Sequence, residues 1–538
     1  MASLSVDAGS PQPKFLDRAR IVTDANFNRW LFPPCALAVH LCIGMAYGFS
    51  VFWLPLSRAL GVAKPVVCKG MTLGQAITTT TCDWRVSDLV WTYSVFFVVL
   101  GAAAAMWGGW LERVGPRKAG IVATCCWCGG MAIGAIGVSV HQLWLLWLGC
   151  GLIGGIGLGI GYISPVSTLI KWFPDRRGLA TGMAIMGFGG GAMIGSPLAD
   201  KLMKAYADAG QVGVWQTFLT LAVIYAVAMT AGALGYRVPP EGYRPAGWTP
   251  PVAIANSARG YVPLERAHKT PQFWLIWTVL LLNVSASIGI IGVASPMLQE
   301  VFGGRLIHQA VSFGQFTAAQ KTAAAAAGAG FVGLISLFNI GGRFLWASSS
   351  DRFGRKVTFA VMTALGAVLY GLVAPALVGG SLGLFVLVFC LCASMYGGGF
   401  ATVPAYLADV FGTRYVGAIH GRLLTAWSTA GVLGPYIVTT IRDRGLAAGL
   451  PSAQLYPPIY WILGGLLVAA FVVNLMIRPV ADSHFVHEDT AHTPAAAAAV
   501  TGSGGEVTPV VVLCWALVVG PLAWGVWMTV AKVLVLLH

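Results

Sequence analysis

Charge inside an apolar stretch is where chemistry would begin in this chain, and one residue stands out for it. The segment FNIGGRFLWASSSDRFGRK, residues 338–356, holds Arg343 within an otherwise apolar helical pattern and ends in a dense charge cluster. Counting back from Asp351, Arg343 lies eight residues deeper along the helix, about 12 Å at ~1.5 Å per residue. A guanidinium at that depth in hydrocarbon costs roughly 2.5 to 3.5 kcal/mol on insertion scales, so it must face a bundle interior or a wet cavity and have a partner. A small-molecule anion suits that position, because the planar guanidinium pairs a carboxylate through two parallel hydrogen bonds. The bland alternatives are a structural ion pair or a side chain that snorkels back to the surface.

Other chemistry-bearing types are weaker signals. His40 and Tyr47 are seven residues apart and share a helix face, as do Tyr396 and Phe400, four apart. Core packing explains any one of them, although a histidine there could also take a proton. The glycines of GLIGGIGLGIG (151–161) recur at Gly151, Gly155 and Gly159, the spacing that lets two helices approach closely. Neither this run nor GFGGGAMIG (187–195) has the βαβ setting or the Gly-Lys-Ser/Thr of a nucleotide loop. Most of the eleven cysteines fall inside apolar runs, CCWC (125–128) included, and read as small buried hydrophobes. Cys68 and Cys82 share the loop 57–87, where an oxidising exterior would permit a disulfide. His484, His487 and His492 read as solvated linker rather than a metal site. No cofactor or metal is called for.

These residues need elements to hold them, and composition says which. The 538 residues are 57% hydrophobic and 10% charged, against about 25% charged for soluble domains. The chain is therefore expected to sit in a lipid bilayer throughout. Its net charge of +14 comes as short basic groups between apolar runs, with no basic stripe to follow a phosphate backbone, so nucleic acid is not a partner. Apolar runs long enough to cross ~30 Å of hydrocarbon fall at 30–56, 88–110, 119–139, 143–170, 179–200, 214–236, 273–298, 323–346, 357–378, 382–408, 419–440, 456–478 and 509–537. Thirteen spans are expected, all helical, since an open sheet edge cannot survive in lipid. With the amino terminus inside, 21 Lys and Arg fall in inner segments against 11 in outer ones, which favours that orientation. No apolar segment with a cleavage site precedes the first span.

An internal repeat organises the spans. GGWLERVGPRK (108–118) and ASSSDRFGRK (347–356) share a pattern in which Glu112, Arg113 and Gly115 match Asp351, Arg352 and Gly354, each 239 residues on. The same offset relates Pro165 to Pro404, Gly178 to Gly417, Gly182 to Gly421 and Gly195 to Gly434. A constant offset across six spans means two six-helix halves in parallel repetition. The expected layout is an amino-terminal segment 1–29, a first half 30–236, a central loop 237–272, a second half 273–478, a flexible linker 479–508 and an additional helix 509–537.

Twelve spans in two halves, each with a short D/E-R-x-G charged loop, resemble the major facilitator superfamily. WTYSVFFVVLGAAAAMWGGWLERVGPRKAG (91–120) and KWFPDRRGLATGMAIMGFGGG (171–191) resemble its oxalate:formate antiporter family, over about residues 30–478. The resemblance implies a secondary active transporter of small organic anions, working by alternating access in the cell membrane, with protons a candidate coupling ion. A membrane enzyme or sensor is the competing class, and it lacks a visible catalytic set or soluble domain. The resemblance also implies that His40, Tyr47, Tyr396 and Phe400 lie on helices lining a central cavity with Arg343. It further implies that the loop residues Glu112, Arg113, Arg117, Asp351, Arg352 and Arg355 control gating. Two departures stand out: Glu112 replaces the usual aspartate, and Ala347 the usual glycine, which predicts looser helix contact there.

Relatives that exchange oxalate are understood to pair the arginine of the eighth span with a lysine in the eleventh. Here the eleventh span reads GRLLTAWSTAGVLGP (421–435), with Trp427 near that place and Arg422 more than a helical turn away. One cation predicts a monocarboxylate, with oxalate:formate exchange as the alternative.

Overall fold

The computed structural model describes residues 14–62, 66, 71–208, 210–249, 260–309, 311–487, 501–502 and 505–533. The chain is a helical bundle. Its first half contains α1 (Arg29–Leu56), α2 (Val86–Val114), α3 (Pro116–Ser139), α4 (Leu143–Trp172), α5 (Arg177–Tyr206) and α6 (Val214–Gly235). The second contains α7 (Pro271–Ile291), α8 (Ala318–Phe353), α9 (Arg355–Ala376), α10 (Leu382–Phe411), α11 (Val416–Leu423 continued by Thr425–Ala447) and α12 (Pro457–Met476). A further helix, α13 (Pro509–Val533), follows. Twelve of these are long and apolar enough to cross a membrane; the exception is α11, which breaks at Leu424 and ends in Arg442, Asp443 and Arg444.

Local chemistry sets many helix ends. Pro116, Pro271 and Pro457 start helices where their missing N–H costs nothing. The Thr270 hydroxyl accepts from Phe273 N, and Thr317 forms a capping box with Gln320. The two charged turns match in backbone as well as sequence. Gly115 has φ 87° and ψ 164°, Gly354 φ 84° and ψ 151°, a region open only to glycine. The predicted seventh span, 273–298, stops early at Ile291, and a second helix runs Ala294–Leu306. Pro296 explains the break, since its ring clashes with the carbonyl four residues back, at Gly292.

Glycine sets how closely helices approach. Gly151, Gly155 and Gly159 of α4 pack on α2, where added Cβ atoms would meet Val95, Val99 and the Leu100 carbonyl. That contact lies within the first half. The halves meet along two other seams, α5 against α8 and α2 against α11. A Cβ at Gly178 would stand 2.0 Å from the Ala347 carbonyl, and one at Gly421 2.2 Å from that of Ala104. Ala347 therefore does not loosen its seam: it is fully buried, and Gly178 and Gly182 opposite leave room for its methyl.

The carboxy-terminal segment differs from the expected flexible linker. Val486–His487 pairs antiparallel with Gly260–Tyr261, and Thr501–Gly502 pairs in parallel with Arg244–Pro245, so the linker is tied to the central loop at two points. Within the linker's end Glu506 O accepts from the Asn28 amide at 2.6 Å, and beyond it Trp515 Nε1 donates to Trp30 O at 3.1 Å. α13 then packs on α1, α5 and α8, with Lys201 over the Trp524 ring. Cys82 is disulfide-bonded, while Cys68, the partner considered from sequence, lies outside the described residues. Of the cysteines in CCWC, Cys128 is buried, Cys126 half-buried and Cys125 exposed. Among the described residues no cluster of three metal-ligating side chains occurs; His492 lies outside them.

Candidate substrate site

Arg343 sits in the middle of α8 with 1% of its surface exposed. Its Nε donates to Asn339 Oδ1 at 2.9 Å, and its Nη1 crosses the seam to Ile185 O of α5, also at 2.9 Å. Its Nη2 is buried with no partner among the described residues. Room for the guanidinium comes from glycine: a Cβ at Gly189 would stand 3.1 Å from Arg343 Nε, and one at Gly397 3.0 Å from its Cγ. Other arginines that reach inside are neutralised by carboxylates, Arg29 by Asp175, Arg177 by Asp409, Arg355 by Asp351 and Arg442 by Glu300. Arg117 rests on backbone carbonyls at a helix end. Arg343 alone is both central and without a carboxylate among the described residues.

Aromatic rings surround it. The guanidinium carbon is 5.8 Å from the Phe188 ring centre and 5.9 Å from that of Phe400. Trp427, fully buried, packs on Phe400 at 4.7 Å and on Phe97, Tyr162 and Phe188 at 5.5 Å each. On the far side from the charged turns, the Tyr47 and Tyr396 hydroxyls meet at 3.1 Å and join the two halves. Two donors in this cage, the Tyr162 hydroxyl and Trp427 Nε1, are buried without partners, like Arg343 Nη2. Each such orphan costs about 1–3 kcal/mol unless something accepts from it. Three orphan donors, one of them cationic, suit an acceptor-rich anion with an apolar remainder.

Of the residues singled out from sequence, Arg343, Trp427, Tyr47, Tyr396 and Phe400 come together here. His40 stands one layer back. Its Nδ1 lies 2.7 Å from Ala184 O and its Nε2 3.0 Å from Tyr162 O, so it ties α1 to α5 and α4. His40 lies seven residues along α1 from Tyr47, and it is Tyr47 that reaches the Tyr396 hydroxyl. Sequence reasoning did not single out Phe97, Tyr162, Phe188 or His420, whose ring lies 5.9 Å from Tyr162. Phe188 was legible in principle, as it stands 239 residues before Trp427. Arg422 points elsewhere: it donates to Leu264 O at 2.8 Å and contacts His268.

The charged turns close one end of the bundle. Asp351 accepts from Gly178 N and Leu179 N of α5, both at 2.8 Å, so a carboxylate caps a helix start across the seam. Arg355 holds Asp351 at 2.6 Å and Asp409 at 3.2 Å, and Arg177 reaches Asp409 across the seam at 2.9 Å. On the other seam Glu112 accepts from Gly417 N at 3.2 Å, and within its own half from Ser167 at 2.6 Å and Lys171 at 2.9 Å. Arg113 and Arg352 are exposed and make no bond across a seam among the described residues, while Arg117 braces Phe15 and Tyr236.

This architecture has known relatives. The profile of the Major Facilitator Superfamily matches residues 36–435, and the chain belongs to that family. It is a multi-pass membrane transporter, not an enzyme. It is 26% identical over 458 residues to the oxalate:formate antiporter of Oxalobacter formigenes, covering 84% of this chain and 93% of that one. It is 26% identical over 385 residues to apicoplast pyruvate carrier 1 of Toxoplasma gondii, covering 63% and 66%. The Escherichia coli fucose:proton symporter FucP shares the fold, with a TM-score of 0.56 at 12% identity over 84% of this chain and all of that structure.

Proposed function

We propose that this chain moves a small organic anion bearing one carboxylate across the cell membrane by alternating access, with its amino terminus in the cytoplasm. The observation that carries the reading is Arg343, a buried central cation whose free Nη2 shares an aromatic cage with the orphan donors of Tyr162 and Trp427. The carboxylate would take Nη2 and the neighbouring donors, and its tail would lie on Phe188, Phe400 and Trp427. A second carboxylate would face the Trp427 indole and lose its hydration without a counter-charge, at a cost of several kcal/mol. Names of relatives support both sides of the choice, a pyruvate carrier on one and an oxalate:formate antiporter on the other. Oxalate:formate exchange is therefore the second reading.

Counterflow in proteoliposomes across formate, lactate, pyruvate and oxalate tests this. A monocarboxylate should displace labelled substrate better than oxalate, and Trp427→Lys should improve oxalate binding. Oxalate winning in the wild-type protein would overturn the single-cation argument.

A further inference from the structure

A second cationic site lies apart from Arg343, at the charged-turn end. A cavity of about 660 Å³ opens there between the halves and the central loop, a size that holds a drug-sized or nucleotide-sized ligand. Six cations line it, Arg18, Arg113, Lys171, Arg177, Arg244 and Arg414, against two acids, Glu112 and Glu241. Lys171 is paired with Glu112 and Arg177 with Asp409. Arg18, Arg113 and Arg244 have no carboxylate partner among the described residues; Arg18 donates only to a backbone oxygen, Glu112 O at 3.1 Å. Tyr243, Trp248 and Tyr415 add flat apolar surface between the charges.

The cavity exists only while this end is closed. Its lining comes from the first half through Arg113, from the second through Gly412 to Tyr415, and from the central loop through Arg244. Glu112 forms part of its wall while bonded across the seam to Gly417 N. A ligand held there binds one conformer and not the other, and so shifts the equilibrium between them.

We infer that this chamber is a regulatory site for a phosphate-bearing polyanion, which holds the charged-turn end closed and slows transport. Soluble nucleotides and anionic lipid head groups share that chemistry. The unpaired guanidiniums supply bidentate donors for phosphate oxygens, and the aromatic surface suits a base or an acyl-glycerol edge.

The test uses the purified full chain and does not depend on which substrate is carried. Unfolding midpoints are measured with ATP, with inorganic pyrophosphate and with potassium chloride at matched ionic strength. They are measured again in vesicles of anionic or zwitterionic phospholipid. ATP or pyrophosphate should raise the midpoint where chloride does not, and should protect a single cysteine at the Asp351–Gly178 seam from labelling. The double variant Arg18→Gln, Arg244→Gln should bind roughly tenfold more weakly, with unchanged exchange in the absence of phosphate. A response to anionic lipid alone would assign the site to the head group and leave its chemistry as proposed. No response to any phosphate probe, or an equal response in the double variant, would overturn the inference.

Discussion

The two halves repeat each other at an offset of 239 residues, and where they agree differs in kind from where they do not. Agreement gathers at the charged turns and the seams. Gly115 and Gly354 share one backbone conformation, Glu112 and Asp351 both reach a helix start across a seam, and Arg117 and Lys356 bond the carbonyls of Tyr236 and Leu475, themselves 239 apart. Divergence gathers at the centre. The position matching Arg343 is Ala104, which packs against Gly421, and the position matching Tyr47 is Ala286. The repeated scaffold carries the turns and seams, and the central cation belongs to one half alone. Phe188 and Trp427 bridge the two categories, as equivalent positions that both face Arg343's cage.

The seams are also unequal, which sets the largest predicted effects. The α5–α8 seam carries two 2.8 Å bonds to Asp351, and beside it Arg177 of α5 pairs with Asp409 of α10, while on the α2–α11 seam Glu112 makes one 3.2 Å bond and Ser428 donates to Phe97 O. Charge-assisted bonds are worth about 1.5–3 kcal/mol each. Asp351→Asn should therefore shift the access equilibrium toward opening at this end by roughly tenfold or more, read by cysteine labelling from each side. Glu112→Gln, which weakens a single longer bond across its seam, should shift it by less than Asp351→Asn does, and an equal shift would erase the distinction. Gly178→Ala probes the same seam by volume: its methyl would meet the Ala347 carbonyl, so exchange should fall steeply while substrate preference stays the same.

Removal of everything after Pro479 comes next in size. Because α13 packs on α1 and on both sides of the α5–α8 seam, truncation should change the exchange rate by a few-fold and leave the order of substrate preference alone. A changed preference would mean that the tail shapes the cage. The smallest effect concerns the loop at His141, outside the spans. Burial against Trp84 lowers this histidine's affinity for a proton below its ordinary 6.5, despite its bond to Cys82 O. An unfolded chain would take that proton first, so stability is full above about pH 6.5 and declines as pH falls below it. His141→Asn should flatten that decline in a melting series.

How much of this was legible follows from the range of the signals. Spans, repeat and charged turns are local patterns or fixed offsets, and Arg343 announced itself by its cost in hydrocarbon. The cage was legible only in part, because Tyr162, Phe97 and Phe188 are ordinary core aromatics until three helices bring them around one cation. His40 bonds the backbone carbonyls of Ala184 and Tyr162, partners that no sequence pattern marks. The tethers at Val486–His487 and Thr501–Gly502 are strands of two residues, too short to carry an alternating pattern.

If one carboxylate binds Arg343, the guanidinium should dominate affinity. Equilibrium binding of the labelled monocarboxylate selected by counterflow, to purified wild-type, Arg343→Lys and Arg343→Gln proteins of equal melting temperature, tests it most directly. The glutamine variant should lose at least about 100-fold in affinity, and lysine should recover little of it, since a point charge cannot replace the planar fork. Binding by Arg343→Gln within a few-fold of wild type would contradict it.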